Sequence, residues 1–367
     1  MRADEPAKAA ERVRAAPAAA AASDAPAVVV RRANAETPPP VSDPVSGGVA
    51  TADAMQIPPT GLEFCDVRRV SADELRRWKA DPVHGKAQAA DIEAQMQRQG
   101  EAALAQIAAR LAAGSERQQV AARLLMRDAD GAALLAQRSS DAQAYQMALT
   151  ACGSHVAPET PNCARLDARR WAELDPSDAR PWLRLMDAAL QRRDPAAVDE
   201  ALAQAAARPR LSRGEYLLEA QAMAAAPAAP DVAGFGNALV MTIGFDAAMM
   251  GVDMGAPIRA CKGDALKDAM RLAHCRAVAR QVLAGATDLI DATLAQKLAD
   301  RVGLPPEQQA HDAATLKTAG QRLSQHMSED IGMDCAGMRR IHRLSATRAA
   351  DGDLAMALAL LPARPAR

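Results

Sequence analysis

Aromatic residues are scarce in this chain, which has three Trp, two Tyr and three Phe among 367 residues. Proteins that bind single-stranded nucleic acid rely on aromatic side chains on which the bases stack. The formal net charge is −1, so the chain as a whole does not attract polyanions such as nucleic acid or an anionic membrane. These two features argue against nucleic acid as a partner.

The residues that favour sheets are also sparse. Ala, Leu, Arg, Glu, Gln and Met dominate the composition, and these residues form helices well. The composition therefore predicts an all-α protein. Because so many helical positions carry Ala, we expect closely packed helices with small side chains between them.

Long apolar runs are absent. No segment reaches the roughly 18 uncharged apolar residues that cross a membrane. The nearest candidate, 232–245, contains Gly and Asn and is interpreted as a buried helix. The first thirty residues are charged and interrupted by Pro17 and Pro26, so they do not form a recognisable secretory signal. The expectation is a chain with no transmembrane segment.

Composition divides the chain into three parts. Residues 1–58 are rich in Ala and Pro and are predicted to be a disordered tail. Residues 59–230 are predicted to form helices with repeat-like hairpins, and residues 231–367 a C-terminal helical region packed on them. Ser71 and Glu74 have the spacing of a capping box at the start of the first helix.

The segment Leu174–Pro209 reads LDPSDARPWLRLMDAALQRRDPAAVDEALAQAAARP. It resembles a degenerate tetratricopeptide repeat, a helical hairpin of about 34 residues. Trp182, Leu185, Leu202 and Ala205 stand at the apolar positions of that repeat. A second unit, 141–176, resembles it in shape only.

The same segment departs from the repeat pattern at several positions. Met186 stands where Gly or Ala is usual, Ala189 where an aromatic is usual, and Val198 where a small Ala is usual, while Pro209 comes one residue early. The resemblance implies an α-solenoid whose hairpins stack in chain order and form a concave binding surface. A generic helical hairpin in another all-α fold is the alternative.

Six cysteines are present, and six cysteines allow fifteen pairings. Cys152 ends one predicted helix, and Cys163 opens the next, which Asn162 is expected to cap. Adjoining ends of two antiparallel helices come close enough for a disulfide bond. This placement predicts the pair Cys152–Cys163.

Cys261 and Cys275 are predicted to pair on one condition. An unbroken helix through this segment would hold the two residues about 20 Å apart, so the helix must break between about Lys267 and Leu272. By elimination, Cys65 pairs with Cys335. Three disulfide bonds favour an extracytoplasmic, oxidising location, periplasmic or secreted. The alternative is a cytoplasmic protein with six reduced, buried thiols.

The sequence contains no recognisable catalytic or metal-binding motif. Cys152, His155 and Cys163 lack the paired spacing of a structural zinc site. Met241, Met249, Met250 and Met254 are interpreted as lining a helical core, and no metal or other cofactor is expected. The sequence has no Gly-x-Ser-x-Gly elbow and no phosphate-binding glycine loop.

These observations predict a non-enzymatic helical-repeat binding or scaffold protein of the cell envelope, with a protein or peptide partner. Arg339, Arg340 and Arg343 form a basic helix face that is either a partner-binding patch or simply solvated. Two alternatives remain open: an all-α enzyme with acid and base residues drawn from separate helices, and a purely structural envelope component. The oligomeric state is not predicted.

Overall fold

Most of the helices begin at an aspartate or a serine whose side chain accepts hydrogen bonds from the backbone N–H groups of the first turn. Ser71 and Glu74 form the predicted capping box, and Ser115 forms another with Gln118. Asp128, Asp141 and Asp288 cap later helices in the same way. The local sequence therefore fixes where these helices start.

The computed structural model describes residues 57–154, 160–214, 216–249, 255–309, 311–330 and 332–362. The predicted tail, 1–58, lies almost wholly outside these residues, as do His155, Met250 and Met254. The helices are α1 (Ala72–Ala80), α2 (Pro82–Ala112), α3 (Glu116–Leu125), α4 (Ala129–Arg138), α5 (Ala142–Cys152), α6 (Ala168–Leu174), α7 (Arg180–Gln191), α8 (Pro195–Ala206), α9 (Leu217–Ala224), α10 (Val232–Met249), α11 (Gly255–Ala260), α12 (Ala269–Gly285), α13 (Leu289–Arg301), α14 (Ala313–Asp330) and α15 (Cys335–Ala359). The all-α prediction is confirmed.

A small antiparallel hairpin precedes the helices. Strand β1 (Leu62–Phe64) pairs with β2 (Arg68–Val70), and Leu62 lies opposite Val70. Val70 is fully buried in the first hydrophobic core. The backbone N–H of Cys65 donates to the carbonyl of Met333 at 2.9 Å, so this hairpin is attached to the segment before α15.

Two main hydrophobic cores hold the helices together. The first takes side chains from the β-hairpin and from α2, α3, α4, α5, α6, α9, α10 and α15, and the second from α7, α8, α11, α12 and α13. Leu185 packs against both cores. Each core therefore combines helices from both sides of residue 230, and the predicted boundary there does not separate two cores.

Helices that are neighbours in the chain pack on each other over much of the fold. Each helix contacts the next one from α1 to α8, from α9 to α10 and from α12 to α15. Helices distant in the chain also pack together, because α10 lies on α2 and on α15, while α12 lies on α8. The helical-hairpin array is thus only partly seen, and contacts between distant segments close the fold in a way that a simple solenoid does not.

The hairpin that resembles a tetratricopeptide repeat is present as α7 and α8. Leu202 and Ala205 are fully buried, whereas Trp182 and Leu185 are half-buried. The three residues that depart from the repeat pattern are all buried: Met186 at 0%, Ala189 at 1% and Val198 at 2% exposure. These three residues therefore belong to the packing surface of the hairpin, together with Leu202 and Ala205.

One predicted helix start, at Cys163 under the cap of Asn162, is wrong. Asn162 makes no side-chain cap; Cys163–Arg165 is a single 3₁₀ turn, and α6 begins later under the cap of Asp167. A short non-helical stretch, 166–167, separates this 3₁₀ turn from α6. The helical periodicity of the sequence does not predict this interruption.

Candidate binding groove

An open groove crosses the surface where α2 and α10 meet. Its volume is 580 Å³, within the range of about 300–1,000 Å³ that is usual for ligand sites. The apolar side chains along it are Phe64, Trp78, Ala89, Ile92, Met96, Val240, Met241 and Met333, and the polar ones are Glu93, Gln97, Arg127 and Asn237. Val240 and Met333 are 42% and 40% exposed.

Helix α2 forms the floor because its apolar residues recur every four positions. Ile92 and Met96 are buried on one face of α2, and Gly100 follows one turn later on that face. A Cβ atom at Gly100 would lie 2.8 Å from the sulfur of Met241. Glycine at this position therefore lets α10 approach α2 closely, and the groove opens just beyond that crossing.

A disulfide bond fixes one wall of the groove. Cys65 and Cys335 are joined, with Cα atoms 4.5 Å apart. Phe64 precedes Cys65, and Met333 is two residues before Cys335. Both side chains line the groove, so a covalent link across 270 residues of sequence holds them in place.

A second, smaller depression of 250 Å³ shares Arg127 and Met241 with the groove. Glu101, Leu104, Leu125, Met126 and Phe245 complete its lining. The guanidinium carbon of Arg127 lies 5.3 Å from the centre of the Phe245 ring, which is a cation–π distance. Arg127 thus places a positive charge where the two depressions meet.

The side chains of the groove are of the kind that adapts to varied apolar partners. Met96, Met241 and Met333 are flexible and polarizable, and such residues are common in promiscuous binding surfaces. Phe64 and Trp78 add rigid aromatic area. Since the chain has only eight aromatic residues, two at one groove and a third at the adjoining depression are a notable concentration.

All three predicted cysteine pairs lie at disulfide distance. The sulfur atoms are 1.95 Å apart for Cys152 and Cys163, 2.00 Å for Cys261 and Cys275, and 1.96 Å for Cys65 and Cys335. The break that the second pair needs is also present: a 3₁₀ turn ends at Lys267, and Asp268 caps α12. The three pairs fit an oxidising, extracytoplasmic environment.

One group of possible metal ligands lies at the first of these bonds. Ligand atoms of Cys65, Asp66 and Cys335 are within 4.8 Å of one another. Both sulfurs belong to a disulfide bond, so neither can bind a metal ion as a thiolate. This cluster is therefore assigned to the disulfide.

The predicted basic face lies on α15. Arg339 and Arg343 are exposed and one turn apart, and Arg340 is half-buried. Arg348, further along the same helix, is not part of this face. Its side chain is buried and forms an ion pair with Glu219. The assignment of Arg339, Arg340 and Arg343 to a partner patch stays a prediction.

Three buried carboxylic acids with raised pKa values lie on neighbouring helices: Glu219 on α9, Asp246 on α10 and Asp353 on α15. Burial raises the pKa of Asp246 to about 7 and also raises the pKa of Glu219 and of Asp353. Such groups can serve as general acids or bases. Here, however, Asp246 accepts the backbone N–H groups of Leu218 and Glu219.

Asp353 has a similar structural role. It accepts the backbone N–H of Leu289 at 2.9 Å and the hydroxyl of Tyr216 at 3.1 Å. Asp246 and Asp353 therefore hold the first turns of α9 and α13 in place. Neither of the two depressions includes Glu219, Asp246 or Asp353. We assign this cluster to the architecture of the fold.

Sequence reasoning missed the groove because its residues are far apart in the chain. The sequence predicts apolar helix positions for Trp78, Ile92 and Met96 and a core position for Met241, but it does not predict that these residues meet in a groove. The available signal was the repeat of Ile92, Met96 and Gly100 every four positions, which marks a helix face where another helix comes close.

Helix α10 is long and apolar enough to cross a membrane by length and composition, and it is 50% buried among the other helices.

Comparison with known proteins adds no relative. No protein-family model matches this chain, and no curated protein or solved structure is significantly similar to it.

Proposed function

We propose that this chain is a non-enzymatic helical binding protein of an oxidising, extracytoplasmic compartment, and that the groove between α2 and α10 holds an apolar helical segment of a protein partner. The observation that carries the proposal is the lining of the groove by three methionines and two aromatic residues. An amphipathic helix lays its apolar side chains into grooves of this kind.

The shape of the groove supports a macromolecular occupant. The groove is an open channel that continues into the second depression, so an occupant can extend along α2 past both. Glu93 and Glu101 lie eight residues apart on α2, which corresponds to about 12 Å. This span suits two turns of a docked helix.

The disulfide bonds support the proposed compartment. Cys65–Cys335 positions Phe64 and Met333, so the groove as described depends on an oxidised pair. In this proposal, the α7–α8 hairpin and its neighbours act as the scaffold that carries the groove, in the manner of a tetratricopeptide-like protein.

An enzymatic function is the alternative that the raised pKa values of Asp246, Glu219 and Asp353 would favour. The hydrogen bonds of Asp246 and Asp353 to the first turns of two helices give these residues a structural explanation. A purely structural role in the cell envelope is the second alternative, and under it the groove binds no partner.

The proposal is tested with fluorescein-labelled amphipathic helical peptides of about 16 residues, with a Leu/Met face and neutral polar residues elsewhere. Fluorescence anisotropy measures their binding to the oxidised full chain. We expect saturable binding, which Val240→Glu weakens about tenfold or more, because the substitution puts a charge into the apolar groove.

Ile290→Glu is the matched control. Ile290 is 51% exposed on α13 and lies outside the groove, so its substitution adds the same charge to the same protein at another exposed apolar position. Binding should be unchanged. Absence of saturable binding to the wild type, or equal losses in the two variants, would contradict the proposed function.

A further inference from the structure

Arg127 occupies a backbone position at which glycine is favoured. It follows the last turn of α3 with φ 59°, in the left-handed region. Its N–H donates to Leu124 and the N–H of Asp128 donates to Arg123, each at 2.9 Å, which together form a Schellman motif. Glycine would make these bonds at lower conformational cost, so the backbone does not explain the arginine.

The side chain of Arg127 is not explained by an ion pair inside the protein either. Within the described part of the chain, no carboxylate forms an ion pair with it. The guanidinium lies over Phe245 and lines both depressions, while the residue as a whole is exposed. What distinguishes Arg127 is therefore the place of its guanidinium, over Phe245 and at the junction of the two depressions, where it can bind a carboxylate of an occupant.

Two glutamates complete a pattern of charge along the groove. Glu93 lines the larger depression and Glu101 the smaller one, and Arg127 is shared by both. The lining therefore carries a negative, a positive and a negative charge. A complementary helix has a basic residue, an acidic residue and a basic residue spaced four positions apart on one side.

We propose that Arg127 recognises an acidic residue at the centre of the bound helix, and that Glu93 and Glu101 select basic residues one turn to either side. This inference rests on the proposed function and names the kind of segment that the groove selects. The apolar lining provides the contact area, and the three charges fix the register of the helix in the groove.

The test uses three labelled helical peptides with the same Leu/Met face. They differ only at positions i, i+4 and i+8, which are Lys-Glu-Lys, Gln-Gln-Gln or Glu-Lys-Glu. We expect the wild type to bind the Lys-Glu-Lys peptide about tenfold more tightly than the neutral one, and the reversed peptide most weakly. The preference should shrink as NaCl concentration rises.

Arg127→Gly and Arg193→Gly form a matched pair of variants. Arg193 occupies the same backbone position at the end of α7, with φ 56°. Its N–H donates to the carbonyl of Leu190, and the N–H of Asp194 donates to the carbonyl of Ala189. It lies outside the groove. Both substitutions relieve the left-handed backbone and should raise the unfolding temperature, so a loss of folding does not obscure the result.

Arg127→Gly should weaken the preference for Lys-Glu-Lys over Gln-Gln-Gln, with the remaining preference due to Glu93 and Glu101, and should leave binding of the neutral peptide within twofold. Arg193→Gly should behave as the wild type. Equal affinities of the wild type for the three peptides, or equal behaviour of the two variants, overturn this inference while neutral-peptide binding keeps the proposed function. Failure of every peptide to bind overturns the proposed function, and this inference with it.

Discussion

The carboxylate of Glu219 lies 3.4 Å from a guanidinium nitrogen of Arg348, and the two side chains are 0% and 5% exposed. The Arg348 guanidinium also lies 4.7 Å from the ring centre of Tyr216. This ion pair joins α9 to α15 inside the fold, and its energetics depend on the protonation chemistry of its two members.

Removing either member of the pair should lower the free energy of unfolding, and the loss should be larger when the carboxylate is removed. Glu219→Gln leaves Arg348 charged and buried, because arginine does not lose its proton, and should lower the free energy of unfolding by about 3–5 kcal/mol. Arg348→Met should cost less at pH 5, because Glu219 can take up a proton. The double variant Glu219→Leu/Arg348→Met should recover most of the loss. Guanidinium denaturation measures all three, and additive losses in the double variant would contradict the coupling.

Asp246 should make stability depend on pH between about 4 and 7. Burial raises its pKa from 3.8 to about 7, despite the hydrogen bonds from the N–H groups of Leu218 and Glu219. The folded state therefore holds this proton more tightly than the unfolded state does. The resulting stabilisation is complete below about pH 4 and is lost as the pH rises through about 7, by about 4 kcal/mol.

The variant Asp246→Asn isolates this contribution. Asn stays neutral, so its unfolding free energy should fall less than that of the wild type between pH 4 and pH 8. The wild-type slope also includes Glu219 and Asp353, whose pKa values are raised in the same direction. Urea unfolding at several pH values gives the difference between the two slopes. Parallel curves for the two proteins would show that Asp246 does not titrate as proposed.

Gly352 interrupts α15 with φ 82° and ψ 167°, a conformation that only glycine adopts readily. A Cβ atom there would lie 2.1 Å from the carbonyl oxygen of Thr287. Gly352→Ala should therefore lower the free energy of unfolding by about 3 kcal/mol or more. Gly244→Ala is the control, because a Cβ atom at this helical position meets nothing within 4 Å. It should stabilise by about 0.5–1 kcal/mol, and thermal unfolding distinguishes the two.

The three disulfide bonds predict that the native protein contains no free thiol among the six cysteines. Mass spectrometry after alkylation, with and without reductant, checks this, and six alkylated cysteines without reductant would remove the support for an oxidising compartment. In the chain-entropy model, Cys65→Ser/Cys335→Ser should cost about 5.5 kcal/mol and Cys152→Ser/Cys163→Ser about 3 kcal/mol. The difference follows from their separations of 270 and 11 residues.

The cysteine pairs show how far local sequence reaches. Cys152–Cys163 could be predicted because the two residues are only 11 positions apart at the end of α5 and after a short connection, although Cys163 opens a 3₁₀ turn and not α6. Cys261–Cys275 required a break whose signal is Asp268, an N-cap after a 3₁₀ turn, and that signal is ambiguous until the break is seen. Cys65–Cys335 was reached only by elimination, since nothing near either residue points to the other.

The repeat-like hairpin shows the limit of resemblance. The pattern of Trp182, Leu185, Leu202 and Ala205 predicted two packed helices, and α7 and α8 are present. It did not predict that α12, rather than a further hairpin in sequence, would cover α8. Helix periodicity gives the buried face of a helix but does not identify the helix that packs against it.

The sequence by itself determined the all-α class, the capped starts of most helices and the cysteine pairing that suits an oxidising compartment. These features depend on neighbours within a few turns of chain, or on counting. The tertiary structure decided the groove, because Phe64, Met96, Arg127, Met241 and Met333 meet only when α10 packs on α2 and the two distant cysteines join. Side chains of small, Ala-rich helices can pack against many partners, so the choice among them is made by the whole core and not by any one segment.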